Sequence, residues 1–310
     1  KNFVNRPDLF KKWALVSVII LIISIYSYLT IKRNHDWKDD LTFWQKTVEQ
    51  SPGSFRAHDN LGIAYARNGF LDKALSEFNK TTAINKDHAN AYCSVGNIYG
   101  MQEHFDEAII NLKKAISLDS NFPVAYYNLG NMYMNKGKTE EAIKEYKKAL
   151  EINPYFPEAY NNLGNIYLAM DKISAAIDNL SKAVNLKHDY FDAHQNLGVA
   201  YFRNKMMDEA IVEYKSALQI QPDSPDIYCN MALVYEENGE FSNAIEQYKN
   251  AIRIDPGRYS SHYNLALIYI KNNDVKAAIF ELQEALRIDG ENKNAPSIRK
   301  AIKDLKEEFK

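Results

Sequence analysis

Small residues return at a fixed interval along most of this chain. Gly62, Gly96, Gly130, Gly164 and Gly198 stand 34 residues apart, and Ala232 and Ala266 continue the series at the same step. A period of this size, kept seven times without an insertion, means that the chain grows by stacking equal units instead of wrapping one core. Three residues after each small residue comes Tyr65, Tyr99, Tyr133, Tyr167, Tyr201, Tyr235 or Tyr269, and twelve after it Ala74, Ala108, Ala142, Ala176, Ala210, Ala244 or Ala278. Four residues further stand Phe78, Leu112, Tyr146, Leu180, Tyr214, Tyr248 and Leu282, and Pro154, Pro222 and Pro256 close three of the units. The spacing inside a unit is helical: Tyr126, Leu129, Gly130 and Tyr133 make one stripe, and Ala142, Tyr146 and Ala149 make a second. Each unit is therefore expected to be a helix pair whose backbones approach at the small residues, and the chain is expected to be all-α.

This pattern of a bulky residue, Leu-Gly, Tyr, Ala, an aromatic or Leu, and Pro resembles the tetratricopeptide repeat family over residues 55–292, with repeats beginning at 55, 89, 123, 157, 191, 225 and 259. The resemblance implies a right-handed superhelix, an α-solenoid stabilised by contacts between neighbouring repeats. One period before the first repeat, Trp44, Thr47 and Pro52 occupy second-helix positions, so residues 38–54 are expected to form a half-repeat and linker. After the seventh, Ile298, Ala301, Ile302, Leu305 and Phe309 share one stripe, which predicts a capping helix within residues 293–310.

The N-terminus has a different character. Residues 13–31 contain no charged side chain and, at about 1.5 Å per residue, span about 28 Å, which predicts a membrane-spanning helix after a juxtamembrane segment at 1–12. Trp13, Tyr26 and Tyr28 suit the interfaces. Lys1, Arg6, Lys11 and Lys12 before the span outnumber Lys32, Arg33 and Lys38 after it, so the expectation is a single-pass membrane protein whose repeats are extracytoplasmic, periplasmic or lumenal. Residues 33–62 resemble the junction between the last membrane helix and the repeat tail of membrane glycosyltransferases of the protein O-mannosyltransferase type. A first residue of Lys suits a fragment or a processed chain. The membrane helices and acidic loop that carry such transferase activity are not in this sequence, so no glycosyl-transfer residue is assigned.

Nothing else in the sequence carries catalytic chemistry. Phosphate-binding, dinucleotide, zinc-protease and nucleophile-elbow motifs are missing, and a net charge of −2 gives no footprint for nucleic acid. His58, His194 and His262 occupy the first-helix position that holds Tyr92, Tyr126, Tyr160 and Tyr228 elsewhere, which assigns them to packing. Cys93 and Cys229 sit four repeats apart, too far for a disulfide. No metal, cofactor or catalytic residue is expected.

What remains is a surface. Two residues before the small residue stand Asn60, Ser94, Asn128, Asn162, Asn196, Asn230 and Asn264. Asparagine is a poor helix former, and its recurrence at one position asks for a reason. The series is similar to the asparagine ladder on the concave face of the O-GlcNAc transferase superhelix, a resemblance that implies that these amides hold an extended peptide. Asn97, Asn131 and Asn165 add polar groups one turn on, and Asp192, Asp226, Glu236 and Glu237 form an acidic patch on the expected concave face. The expected function is a membrane-anchored, non-catalytic scaffold that binds protein or peptide partners in its groove and organises a complex. The alternative is the substrate- or partner-recognising tail of a polytopic glycosyltransferase.

Overall fold

The computed structural model describes residues 6–36 and 39–308, and the ordered elements among them are α-helices. The chain divides after Lys138 into two compact units, with the cut between the two helices of the third repeat. The first unit holds α1 (Arg6–Asp36), α2 (Asp40–Gln50), the pairs α3 (Phe55–Arg67) with α4 (Leu71–Ile84) and α5 (Ala89–Met101) with α6 (Phe105–Leu118), and α7 (Pro123–Asn135). The second begins with α8 (Thr139–Ile152). It continues with the pairs α9 (Pro157–Ala169) and α10 (Ile173–Leu186), α11 (Phe191–Arg203) and α12 (Met207–Ile220), α13 (Pro225–Glu237) and α14 (Phe241–Ile254), α15 (Tyr259–Lys271) and α16 (Val275–Ile288), and ends with α17 (Ala295–Glu308).

The helix boundaries follow from local chemistry. Pro123, Pro157 and Pro225 open their helices, where a missing N–H costs nothing because the first turn has no intrahelical acceptor. Ser54 and Asp39 accept the N–H groups of Ala57 and Thr42 and so cap α3 and α2. First helices end in one shared turn. Its pivot is left-handed in every repeat: Gly69, Gly137 and Gly239 at φ 77°, 69° and 77°, but Glu103, Asp171, Lys205 and Asn273 at φ 62°, 58°, 63° and 58°. The following N–H reaches back five residues, as in Phe70 to Tyr65 O at 3.0 Å and His104 to Tyr99 O at 2.9 Å, which satisfies a carbonyl that the helix end would leave bare.

Within a pair the small residue sets the separation. A Cβ at Gly62 would stand 2.7 Å from the Phe78 ring, and one at Gly96 would stand 2.7 Å from Leu112. Opposite lie Ala74, Ala108, Ala176, Ala210, Ala244 and Ala278, all fully buried, and the bulky Phe78, Leu112, Tyr146, Leu180, Tyr214, Tyr248 and Leu282 fill the space beside them. Helix α2 lies on α3, where Gln45 Nε2 donates to Tyr65 OH at 3.0 Å. At the other end Ile298 and Ile302 of α17 join Ala266 and Leu282 in one apolar cluster. Phe309 lies outside the described residues.

The N-terminal expectation is corrected. Among the described residues no helix is long and apolar enough to cross a membrane. Helix α1 runs 31 residues, Arg6–Asp36, and does not meet that condition of length and apolar character together. The membrane contact assigned to residues 13–31, and with it the single-pass placement of the repeats on the extracytoplasmic side, is withdrawn.

The four turns without glycine hold an L-residue where its Cβ crowds the backbone. Glu103→Gly should therefore stabilise the chain by about 0.5–1 kcal/mol, the relief of left-handed strain outweighing the added freedom of the unfolded chain. Denaturant unfolding of the variant against the parent measures it, and a fall in stability would show that the turn is unstrained.

Candidate functional site

The sixth residue of each first helix carries the asparagine series, and the helix pairing decides what each amide meets. In the first unit Asn60 is half-buried and its Nδ2 donates one turn back to Arg56 O at 2.9 Å. Asn128 is buried, and its Nδ2 donates to Cys93 Sγ at 3.6 Å, the fifth residue of the preceding first helix. Burial pushes the Cys93 thiol up to about 11, with the Asn128 hydrogen bond acting weakly the other way. Ser94 interrupts the series at α5, Asn97 is exposed on that helix, and Asn131 is half-buried on α7.

The second unit carries the asparagine on four first helices in succession. Asn162, Asn196, Asn230 and Asn264 are all half-buried. Asn196 Nδ2 donates to Asn161 Oδ1 at 3.1 Å, again the fifth residue of the preceding first helix, and Asn162 Nδ2 donates to Tyr146 OH at 3.3 Å. Asn264 stands by Tyr248 OH, but the hydroxyl closes no hydrogen bond of ordinary geometry and stays buried without a partner. Burial pushes the phenols of Tyr214 and Tyr248 well above their ordinary range, so both remain neutral. Asn165 is half-buried on α9.

Three of the four acidic residues are met by cations, two of them from neighbouring repeats. Arg258 pairs with Asp226, Lys271 Nζ lies 2.5 Å from Glu236 Oε1, and Lys205 Nζ lies 2.8 Å from Glu237 Oε1. The hydrogen bond from Lys205 holds the Glu237 carboxyl below the usual range. Asp192 is exposed on α11. Arg203 belongs to the same system, donating to Leu168 O at 2.7 Å and to Asp171 at 2.8 Å. The patch therefore works first as a set of ties along the stack, weak singly because they stand in water.

The histidines stand at the buried first-helix position that periodicity gave them, but periodicity did not show their partners. His58, His194 and His262 are buried, but none is an apolar filler. Each Nδ1 faces a glutamate on the second helix of its own repeat, Glu77 at 2.5 Å, Glu213 at 2.6 Å and Glu281 at 2.6 Å. The signal was available as a glutamate 19 residues after each histidine; the tyrosine repeats carry Asn111, Glu145, Asn179 and Gln247 there. Among the described residues no group of three or more His, Cys, Asp or Glu side chains could hold a metal ion.

Comparison with known proteins fits this geometry. Profiles described as "TPR repeat" match residues 102–137, 130–171, 164–205 and 207–239, and profiles described as "Tetratricopeptide repeat" match 225–258 and 259–292. Together they cover more than half of the chain, and they do not include the junction at 33–62. No curated protein matches significantly. Among solved structures, YrrB, described as a TPR protein with an unusual peptide-binding site, is 27% identical over 58% of this chain and 92% of its own, with a TM-score of 0.53. MamA is 31% identical over 54% of this chain and 92% of its own, with a TM-score of 0.51. The C-terminal part of a TPR repeat-containing protein from Cytophaga hutchinsonii shares the fold alone, at 21% identity over 79% of this chain and 99% of its own, with a TM-score of 0.65.

Cys93 gives a direct check on the burial of the first unit. A thiol pushed to about 11 is almost wholly protonated at pH 8.5, so alkylation by iodoacetamide should run on the order of a hundredfold slower than in urea. Mass spectrometry of the labelled peptide follows the rate; equal rates in the folded and unfolded chain would mean that Cys93 is open to solvent.

Proposed function

Because the chain belongs to the tetratricopeptide repeat family, whose proteins are generally non-catalytic interaction scaffolds, we propose that its second unit holds an extended peptide segment of a partner protein along the asparagines of α9, α11, α13 and α15. The observation that carries this reading is the succession itself: four consecutive first helices bear Asn162, Asn196, Asn230 and Asn264 at the same position, each half-buried. A primary amide offers a donor and an acceptor together, which matches a peptide unit whatever side chain it carries. The first unit has only Asn60 and Asn128, with Ser94 between them, and Asn128 is buried against Cys93. YrrB, with its described peptide-binding site, supports the reading. The glycosyltransferase-tail alternative is not pursued: it rests on residues 33–62, which lie outside the matched repeat profiles.

The four amides do not carry equal weight in this scheme. Asn162 and Asn196 also serve the stack through Tyr146 and Asn161, whereas Asn230 has no side-chain hydrogen bond among the described residues and Asn264 closes none of ordinary geometry. Asn230→Ala together with Asn264→Ala should therefore weaken a bound peptide by about 2 kcal/mol, roughly thirtyfold in Kd, at about 1 kcal/mol for each lost hydrogen-bonding group. The melting temperature should stay level or rise, since alanine is the better helix former. Peptides selected from a random display library against the intact chain, titrated by calorimetry on parent and variant, provide the measurement. Unchanged affinity with a lowered melting temperature would assign the amides to the stack instead.

A further inference from the structure

His194 has both ring nitrogens engaged, and both partners are acceptors. Its Nδ1 lies 2.6 Å from Glu213 Oε2 on α12, and its Nε2 lies 3.0 Å from the main-chain carbonyl of His188 in the loop between α10 and α11. A neutral imidazole carries a single N–H and can serve only one of them. With Glu213 ionised, both contacts are hydrogen bonds only when the ring carries two protons and a positive charge. Three parts of the stack then converge on one side chain: the loop that leaves the fourth repeat, and both helices of the fifth.

We propose that His194, held as an imidazolium, is a pH-sensitive lock that fastens the loop between the fourth and fifth repeats to α11 and α12 and releases it on losing its proton. The inference is independent of what the asparagines bind. Deprotonation leaves one ring nitrogen with its lone pair toward an acceptor oxygen at hydrogen-bonding distance, so the loop side or the α12 side must let go. The hydrogen bond to Glu213 raises the His194 pKa, burial opposes the rise, and the His188 carbonyl adds to it. A folded value above the unfolded one, about 6.5, makes the stabilisation complete below the unfolded value and removes it as pH climbs through the folded value.

Neighbouring charges leave Glu213 as the one that acts on the ring. On α12 the next turn presents Ser216, which donates to Val212 O. In the loop, Lys187 Nζ lies 3.9 Å from Glu158 of α9 and 4.8 Å from the Tyr190 ring centroid, while Asp189 is exposed and the contact from His188 is its carbonyl. On α10, Lys182 is paired with Asp178 at 2.8 Å, and on α11 Asp192 is exposed.

The arrangement is built more than once. His58 meets Glu77 at 2.5 Å and Pro52 O at 3.0 Å, and His262 meets Glu281 at 2.6 Å and Pro256 O at 3.2 Å. Repeat six supplies a replacement without these titrating groups, since Tyr228 stands at the histidine position and Gln247 at the glutamate position.

The experiment compares the intact chain with the double variant His194→Tyr, Glu213→Gln. The other two histidine contacts are present in both proteins and cancel. The melting temperature of the parent minus that of the variant should be level between about pH 5.5 and 6.5 and should fall by a few degrees toward pH 9. A difference that does not change with pH overturns the proposal. NMR on the parent alone guards against a variant that does not fold: the His194 ring should titrate at higher pH in the folded chain than in urea, with both nitrogens protonated at the acid end. A folded midpoint at or below the urea value also overturns it.

Discussion

The distance between the two helices of a repeat is the constraint on which the rest depends. It is set where Gly62, Gly96, Gly164 and Gly198 face Phe78, Leu112, Leu180 and Tyr214 with no room for a Cβ. At that separation the alanines of the second helices are sealed from water and the bulky residues beside them fill the remaining space. Every longer-range feature uses the register that this contact creates. A histidine can meet a glutamate 19 residues away only because the paired helices hold those positions level. The half-buried asparagines fall at one level on successive first helices for the same reason.

Polar groups in this stack do two jobs that compete for the same atoms. The amides of Asn128 and Asn196 reach back to the fifth residue of the preceding first helix, Cys93 and Asn161 respectively, and so help to join one repeat to the next. Glu236, Glu237 and Asp226 do similar work with Lys271, Lys205 and Arg258 near the ends of the same helices. A ligand that takes these groups must break contacts within the chain first, which lowers the net return on each. Asn230 and Asn264 carry the smaller cost of this kind, so under the proposed function the distal repeats are where a peptide would gain most.

Much of the fold was readable from spacing. The 34-residue step located all seven first helices, because a small residue that two backbones require cannot be replaced without moving a helix. Turn chemistry was most readable where Gly69, Gly137 and Gly239 mark it; Asp171 and Asn273 are the polar types that best tolerate the same left-handed pivot, while Glu103 and Lys205 give no sign of it in residue type. The histidines were read as packing because their position is otherwise filled by tyrosine, and the linked glutamate lies on another helix, outside any local window. For the asparagines the sequence showed recurrence but not the neighbours, since what Asn128 or Asn196 meets depends on the residue 35 positions earlier. Apolar character over residues 13–31 predicted a membrane span, whereas no helix among the described residues is long and apolar enough to cross a membrane.

The histidine contacts also bear on how such an array can be rearranged. Each His–Glu pair lies on the two helices of a single repeat, while the third member is a main-chain carbonyl that every residue possesses. An exchange of sequence at the loops between repeats therefore carries the charged pair across whole and finds its carbonyl in any context. An exchange at the turn inside a repeat separates the pair and can leave a histidine without its counter-charge, since Asn111, Asn179 and Gln247 stand at the glutamate position in other repeats. For repeats one, five and seven, the unit that can be duplicated or shuffled without electrostatic penalty begins at the first helix and ends after the second.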